Sequence, residues 1–397
     1  MIAEHDVKAG ELLLMPNLMD IILDEFSKKI EGERETCLAI FLHLMCAYVK
    51  NCTSLPNVMV NSDSSAGKSY ICKNVLKIFP DNKYEYRTKI SKEAFTYWHN
   101  STKEPEWTWD GKVCYLEDVR DDIVDSDTFK VMASEGSKAT IIIDHKPVDI
   151  EIKGKPIIIV TTAEAQPKAE VLNRFSIISL DESPEQTMRI MTKIANDAMS
   201  GNHEEYNLIV TDAISRLFRL DVRLPDWAGK VIPFFPNSVI RMRRDISRFF
   251  DLMKASAVLH QMQRETVDVV GGIWANEQDY EYARLAIAKV GLSGGIFGLT
   301  HRQKKCYEAC KKYFMETEKN FGIKDMYTYF PFISEWSWNK MLEKLASLNL
   351  LGSALEKNEI TGRPRIVYFP KCSNNIFLPE SNTINVSNII NMGNTTK

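Results

Sequence analysis

Residues 58–70 read Val58-Met-Val-Asn-Ser62-Asp63-Ser64-Ser65-Ala66-Gly67-Lys68-Ser69-Tyr70, and the reading of this stretch decides the fold. Three apolar residues make a short strand, a run of small residues makes a loop, and Gly-Lys-Ser opens a helix with apolar positions at Ile71, Val75, Leu76 and Ile78. Strand, small-residue loop and helix in that order form a phosphate-binding P-loop. Its backbone N–H groups and the helix N-terminus converge on anionic oxygens. Ser62 to Tyr70 are therefore the expected nucleotide cradle. Lys68 would reach the β- and γ-phosphates of ATP, and the Ser69 hydroxyl would hold Mg²⁺. Ser62 stands where the pattern has its first glycine, which reduces backbone freedom at the turn.

A P-loop needs a second element that handles the metal and the attacking water. Residues 113–116 are an apolar strand ending in Glu117-Asp118. A buried strand lifts such acids to the top of a sheet, beside the phosphates. Glu117 would enter the magnesium shell and Asp118 would orient the water. The usual order of the two acids is reversed, so which of them is the catalytic base stays open. Residues 155–162, Lys-Pro-Ile-Ile-Ile-Val-Thr161-Thr162, are an apolar run ending in hydroxyls. Either threonine can bond the γ-phosphate or the lytic water, with Thr162 favoured on position.

Short β-rich runs at 58–60, 83–87, 113–116, 140–152, 157–162 and 176–180 alternate with helical segments, which predicts a mostly parallel sheet covered by helices. Two helix-period stretches, 18–30 and 33–50, precede it. The expected organisation is an N-terminal helical segment (1–50), an α/β core (51–182), a helical lid (183–290), a glycine-rich linker (291–298), a C-terminal domain (299–371) and a disordered tail rich in Asn, Ser and Thr (372–397). Residues 183–264 read as helices only, with a break at Pro225 and the segment Pro233-Phe-Phe-Pro236.

Residues 139–154 alternate in the half-buried strand period and read as a hairpin whose tip, with Asp144 at its start and Pro147 at its end, displays His145 and Lys146. Lysine neutralises phosphates and imidazole can bond phosphate or sugar, so this tip is a candidate contact for single-stranded DNA. Arg174, before the strand at 176–180, is placed to reach the γ-phosphate of a neighbouring subunit. Arg241, Arg243, Arg244 and Arg248 cluster at the start of a later helix. One of them is expected to sense phosphate, and at least two fit a plain solvated face.

The formal net charge is −3, so any nucleic-acid contact must use locally concentrated cations. Residues 299–371 are such a place, with 13 Lys+Arg against 8 Asp+Glu. Three helical stretches, the last ended by Gly352, followed by two strands predict a winged helix there, with Lys340, Lys344 and Arg363 facing duplex DNA; a protein-docking role is equally open. Eight cysteines contain no CxxC pair, and Cys306 and Cys310 read as a packing face. Free thiols, no signal-peptide layout and no membrane-length apolar run predict a soluble cytoplasmic protein.

The order of P-loop, Glu-Asp strand, inserted hairpin, Thr-Thr strand and Asn173-Arg174-Phe175 resembles the AAA+ helicases of the pre-sensor-1 hairpin group. That group includes superfamily 3 and minichromosome-maintenance helicases, and the likeness is greatest to those encoded by phages, plasmids and mobile elements. It covers roughly 33–265 and includes Met132-Ala-Ser-Glu135-Gly136, Leu180-Asp-Glu-Ser183, Arg244-Asp-Ile and Lys254-Ala-Ser-Ala257. The resemblance implies Arg174 as a trans-acting arginine finger, Arg244 as the sensor-2 arginine, and His145 and Lys146 as tracking residues. It implies an ATP- and Mg²⁺-dependent DNA helicase acting as a homo-hexamer, with any primase on a separate chain. The alternative is an ATP-switch replication initiator or loader that binds duplex DNA through the winged helix.

Overall fold

Apolar runs that do not alternate with polar residues belong in strands covered on both faces. Here they build one sheet. The structure is a computed structural model, described over residues 2–62, 67–92, 94–95, 98, 107–134, 137–143, 145–162, 174–201, 205–235, 242–267, 271–291, 301–347, 350–357, 364–370 and 378–381. Its strands are β1 (Asn57–Asn61), β2 (Tyr84–Arg87), β3 (Val113–Leu116), β4 (Ser137–Ile143), β5 (Lys146–Ile152), β6 (Ile157–Thr162) and β7 (Phe175–Ile178). The parallel order is β7-β1-β6-β3-β2, with Val290–Gly291 added antiparallel outside β7. β6 therefore lies between the P-loop strand and the acidic strand, as Val58↔Ile159 and Leu116↔Val160 show. Every residue of β1, β3, β6 and β7 is buried.

Four helices come first: α1 (Ile2–Leu13), α2 (Leu18–Lys29), α3 (Arg34–Met45) and, after the P-loop, α4 (Lys68–Leu76). α3 is buried on every side from Thr36 to Met45, the signature of a helix enclosed by others. It is wrapped by α2, α4 and the helices Met242–Leu259 and Glu277–Lys289, so the N-terminal and lid helices share one apolar core with the α4 face of the sheet. The opposite face carries a second cluster around Phe95, Trp98, Trp109 and Phe129. A third cluster, built on Cys306, Tyr307, Trp338 and Leu342, belongs to the C-terminal helices His301–Thr317, Ile323–Tyr329 and Glu335–Ser347 and the hairpin Leu351–Lys357/Pro364–Pro370. Cys306 and Cys310 are both buried in that packing.

Three sequence expectations change. Residues 183–264 are not all helical: Asp221–Arg223 is a strand, paired in parallel with Gly272–Trp274, because the Asn51 side chain bonds the Val222 amide and carbonyl and holds that segment extended. Gly352 does not terminate a helix but sits within a strand, where a Cβ would run into the Phe369 ring. Within the tail expected to lack structure, Leu378 is buried in the main core and the Pro379 carbonyl accepts a 2.6 Å bond from the Tyr280 hydroxyl. Residues 292–300 and 382–397 lie outside the described residues. Among the described residues, no helix is long and apolar enough to cross a membrane.

Candidate nucleotide site

At the C-terminal end of β1 the chain turns through Ser62 into the P-loop. Asp63, Ser64, Ser65 and Ala66 lie outside the described residues. Ser62 has no positive φ, so the position does not require glycine here. Its hydroxyl accepts a 2.9 Å bond from the Leu180 amide, which ties the loop to the chain leaving β7. Gly67, with φ of +88°, is the residue that needs glycine, since it turns the loop into α4 through the left-handed region. Lys68 is 6% exposed and donates a 2.8 Å bond to the Ser62 carbonyl, so it closes back over the loop. Tyr70, the last cradle residue, is exposed and bonds the Lys29 carbonyl.

β3 places Glu117 on the α4 side of the sheet. Its carboxylate takes the Lys73 ammonium at 2.7 Å and the Tyr86 hydroxyl, and Ser69 is a third hydrogen-bonding neighbour. Burial opposes ionisation of Glu117, but the bonds from Lys73, Tyr86 and Ser69 outweigh it and hold the carboxyl below its ordinary value. Lys73 also lies 5.4 Å from the Tyr86 ring, which stacks on Tyr115. Neither Lys73 nor Tyr86 stood out in the sequence; only the lysine's place on the P-loop helix hinted at it.

Asp118, the next residue, lines one cleft together with Glu117 but makes different bonds. It is exposed, with φ of +48°, a left-handed conformation that Asp tolerates better than most residues. Its amide donates to Thr161 Oγ1 at 3.0 Å. It lines a cleft of about 380 Å³ at the tips of β2 and β3 with Arg87, Lys89 and Arg120. Thr161 is thus the threonine coupled to the acidic turn, while the favoured Thr162 is buried beside Asn61.

The arginines sit at the other end of the sheet. Arg174 immediately precedes β7, and its carbonyl accepts from Asn57 at the start of β1 while its Nε donates to Ser134 Oγ at 2.8 Å. With Lys155, Arg243, Arg244 and Arg248 it lines a cleft of about 280 Å³. Arg248 is structural: it is buried, pairs with Asp245 at 3.0 Å and donates to the Phe175 carbonyl. Arg243 and Arg244 are exposed in that cleft, and Arg241 lies outside the described residues. A five-residue strand at roughly 3.3 Å per residue separates the two ends by about 13 Å, so Arg174 and Arg244 are brought together, but away from Lys68 of the same chain.

Between β3 and β6, the β4–β5 hairpin forms its own two-stranded sheet. The pairing Ile143↔Lys146 makes a two-residue turn, so Pro147 lies inside β5 rather than in the tip. His145 has φ of +59°, and both His145 and Lys146 are exposed. In the C-terminal unit, Lys340 is exposed, 4.2 Å from the Trp336 ring centroid. Lys344 is half-buried, with burial lowering its pKa, and Arg363 lies outside the described residues. Glu135, Gly136 and Asn173 are also outside them.

The local geometry defines a P-loop nucleotide-binding fold, and the comparison with known families agrees. A family model described as the MTBMA_p00010 P-loop domain matches residues 4–219, more than half of the chain, and the protein belongs to that family. No curated protein shows a significant match. Membership makes this chain a P-loop NTPase, a nucleotide-binding domain whose chemistry is nucleotide hydrolysis.

Such domains usually take Mg²⁺ with the nucleotide, and the residues present fit both. Ser69 and Glu117 are neighbours, and the Tyr115 hydroxyl is within bonding reach of Ser69 and Thr161. Asn61 Oδ1, at the end of β1, is a buried polar atom with no hydrogen-bond partner among the described residues. Ser69 and Glu117 would hold the metal, which when bound neutralises charge on the phosphates. Lys68 would bind and orient the phosphates.

Proposed function

We propose that the protein is an ATP-driven, ring-forming DNA helicase of the AAA+ pre-sensor-1 hairpin type, serving replication of a phage, plasmid or mobile element. The observation carrying this reading is the separation of the two halves of a nucleotide site. P-loop, Ser69 and Glu117 stand at the C-terminal ends of the strands; Arg174, Arg243 and Arg244 share a cleft at the N-terminal ends. Rigid strands keep them apart in one copy, so a phosphate that touches both lies between two copies. The position of β6 between β1 and β3 supports the AAA+ assignment.

In this reading Lys68 grips the β/γ-phosphates and Asp118 or Glu117 orients the water. Arg174 of the next copy, with Arg244 beside it, stabilises charge that develops on the transferred phosphoryl group. Loss of those contacts after hydrolysis moves one copy against its neighbour and carries the hairpin tip, with His145 and Lys146 on single-stranded DNA, along the channel. The three helices and hairpin of residues 301–370 have the parts of a winged helix.

Mixing inactive variants tests the central claim. Lys68→Ala and Arg174→Ala each lose ATP hydrolysis alone, and a mixture of the two regains part of it, because some junctions then hold one intact P-loop and one intact arginine. No recovery on mixing overturns a shared site. A fork substrate then separates motor from switch: an initiator or loader hydrolyses slowly and unwinds nothing.

A further inference from the structure

The C-terminal unit carries a surface that the nucleotide machinery does not use. The segment Ile323–Tyr329 and the turn after it read Ile-Lys-Asp-Met-Tyr327-Thr-Tyr329-Phe330-Pro-Phe332-Ile-Ser-Glu-Trp336, unusually rich in rings. Packing takes some of them: Phe332 meets the buried Trp338 edge-on at 5.5 Å, and Phe330 contacts Tyr329 at 5.0 Å. Rings of this segment still reach solvent. Trp336 is 67% exposed at the start of helix Glu335–Ser347, and Phe332 is exposed as well.

A lysine stands over each of three of these rings. Lys340 Nζ is 4.2 Å from the Trp336 centroid, Lys305 Nζ is 4.8 Å from Phe332, and Lys312 Nζ is 5.9 Å from Phe330. Two different helices, His301–Thr317 and Glu335–Ser347, supply these lysines, so the alternation of ring and cation is created by tertiary packing. An ammonium over a ring holds a positive charge within reach of whatever stacks beside it.

We infer that this surface binds unpaired bases of a single-stranded nucleic acid, with Trp336 and Phe332 as stacking platforms and Lys340, Lys305 and Lys312 on the flanking phosphates. Stacking needs a base whose face is free, which a duplex interior does not offer, and the excess of basic residues in 299–371 suits a polyanion. A protein partner would find the same rings, but three separate ammonium groups spread over them favour repeated phosphates over an apolar groove. The inference extends the nucleic-acid reading to the C-terminal unit and differs from a duplex-reading recognition helix. It stands apart from the nucleotide site.

The test uses the full chain without nucleotide, titrated against a fluorescent oligothymidylate and against a blunt duplex. Trp336→Ala weakens oligothymidylate about tenfold, as removal of one stacked base does, and leaves duplex affinity unchanged. Trp336→Phe retains most of the binding, and Lys340→Ala flattens the salt dependence by about one ion. Because Trp336 is exposed, the melting temperature stays put and a loss is not unfolding. Equal losses on both ligands, or none, overturn the inference. So does unchanged nucleic-acid binding with altered self-association, which would assign the rings to a protein. A chain that binds oligothymidylate through Trp336 but fails to unwind a fork leaves this surface standing and removes the helicase.

Discussion

Lys73 Nζ stands 2.7 Å from Glu117 Oε1, so the acid beside the P-loop serine is balanced by a cation from the same helix that carries Lys68. Two lysines on one helix thereby divide the work. Lys68 closes over the loop, and Lys73, with Tyr86, fixes the carboxylate across the sheet.

That pairing has a pH signature. The folded Glu117 carboxyl is held below its ordinary value of 4.5, burial opposing and the bonds to Lys73, Tyr86 and Ser69 prevailing. A depressed carboxyl stabilises the fold above the unfolded pKa, and the contribution is lost as pH falls through the folded one. Lys73 is partly exposed, which limits the effect. Lys73→Met costs about 0.5–1 kcal/mol at neutral pH, and the difference from wild type closes as pH falls through the depressed folded pKa of Glu117. Urea melts at several pH values check this; a pH-independent gap would assign the loss to packing of the lysine stem.

Arg174 is expected to act in the chemistry of a neighbouring copy rather than in nucleotide binding. Arg174→Ala lowers kcat by on the order of 10³-fold while a fluorescent ATP analogue binds with its affinity unchanged. Its bond to Ser134 Oγ offers a control, since Ser134→Ala removes that contact and keeps the guanidinium. If Ser134→Ala is as damaging as Arg174→Ala, the arginine is holding structure.

The hairpin turn separates geometry from contact chemistry. His145 has φ of +59°, which glycine adopts without strain. His145→Gly therefore keeps or slightly raises stability while deleting the imidazole, and Lys146→Ala deletes the charge next to it. Both variants hydrolyse ATP at the wild-type rate, and Lys146→Ala loses unwinding on a forked substrate. Normal unwinding by Lys146→Ala removes the hairpin from the mechanism.

Leu378 is 7% exposed within the main core, beside the Pro379 carbonyl bonded by Tyr280. Leu378→Ala leaves a cavity there and costs roughly 2–3 kcal/mol. Circular dichroism in denaturant reads the lowered midpoint. A midpoint identical to wild type would mean that this part of the tail contributes nothing to the fold.

Much of the molecule is legible along the chain. The strand-loop-helix of the P-loop, the acidic ending of β3, the hydroxyl ending of β6 and the hairpin all rest on short-range rules: period, turn chemistry and helix starts act within a few residues. The four strand residues ending in Leu116 and the limits of β6 were therefore visible before any fold. Less visible was the choice between Thr161 and Thr162, because alternation says that the two face opposite ways without saying which meets Asp118.

By itself the sequence determined most of the strands and helices of the core, which end of each strand carries polar groups, and the P-loop pattern ending in Gly67-Lys68-Ser69. Only the tertiary structure decided that Lys73 and Tyr86 hold Glu117, that Arg174 joins Arg243 and Arg244 in a cleft remote from Lys68, and that lysines from two helices cover the C-terminal rings. The physical reason is that hydrophobic period encodes which face of an element is buried. The neighbour it is buried against is set by strand order and by packing between residues far apart in the chain.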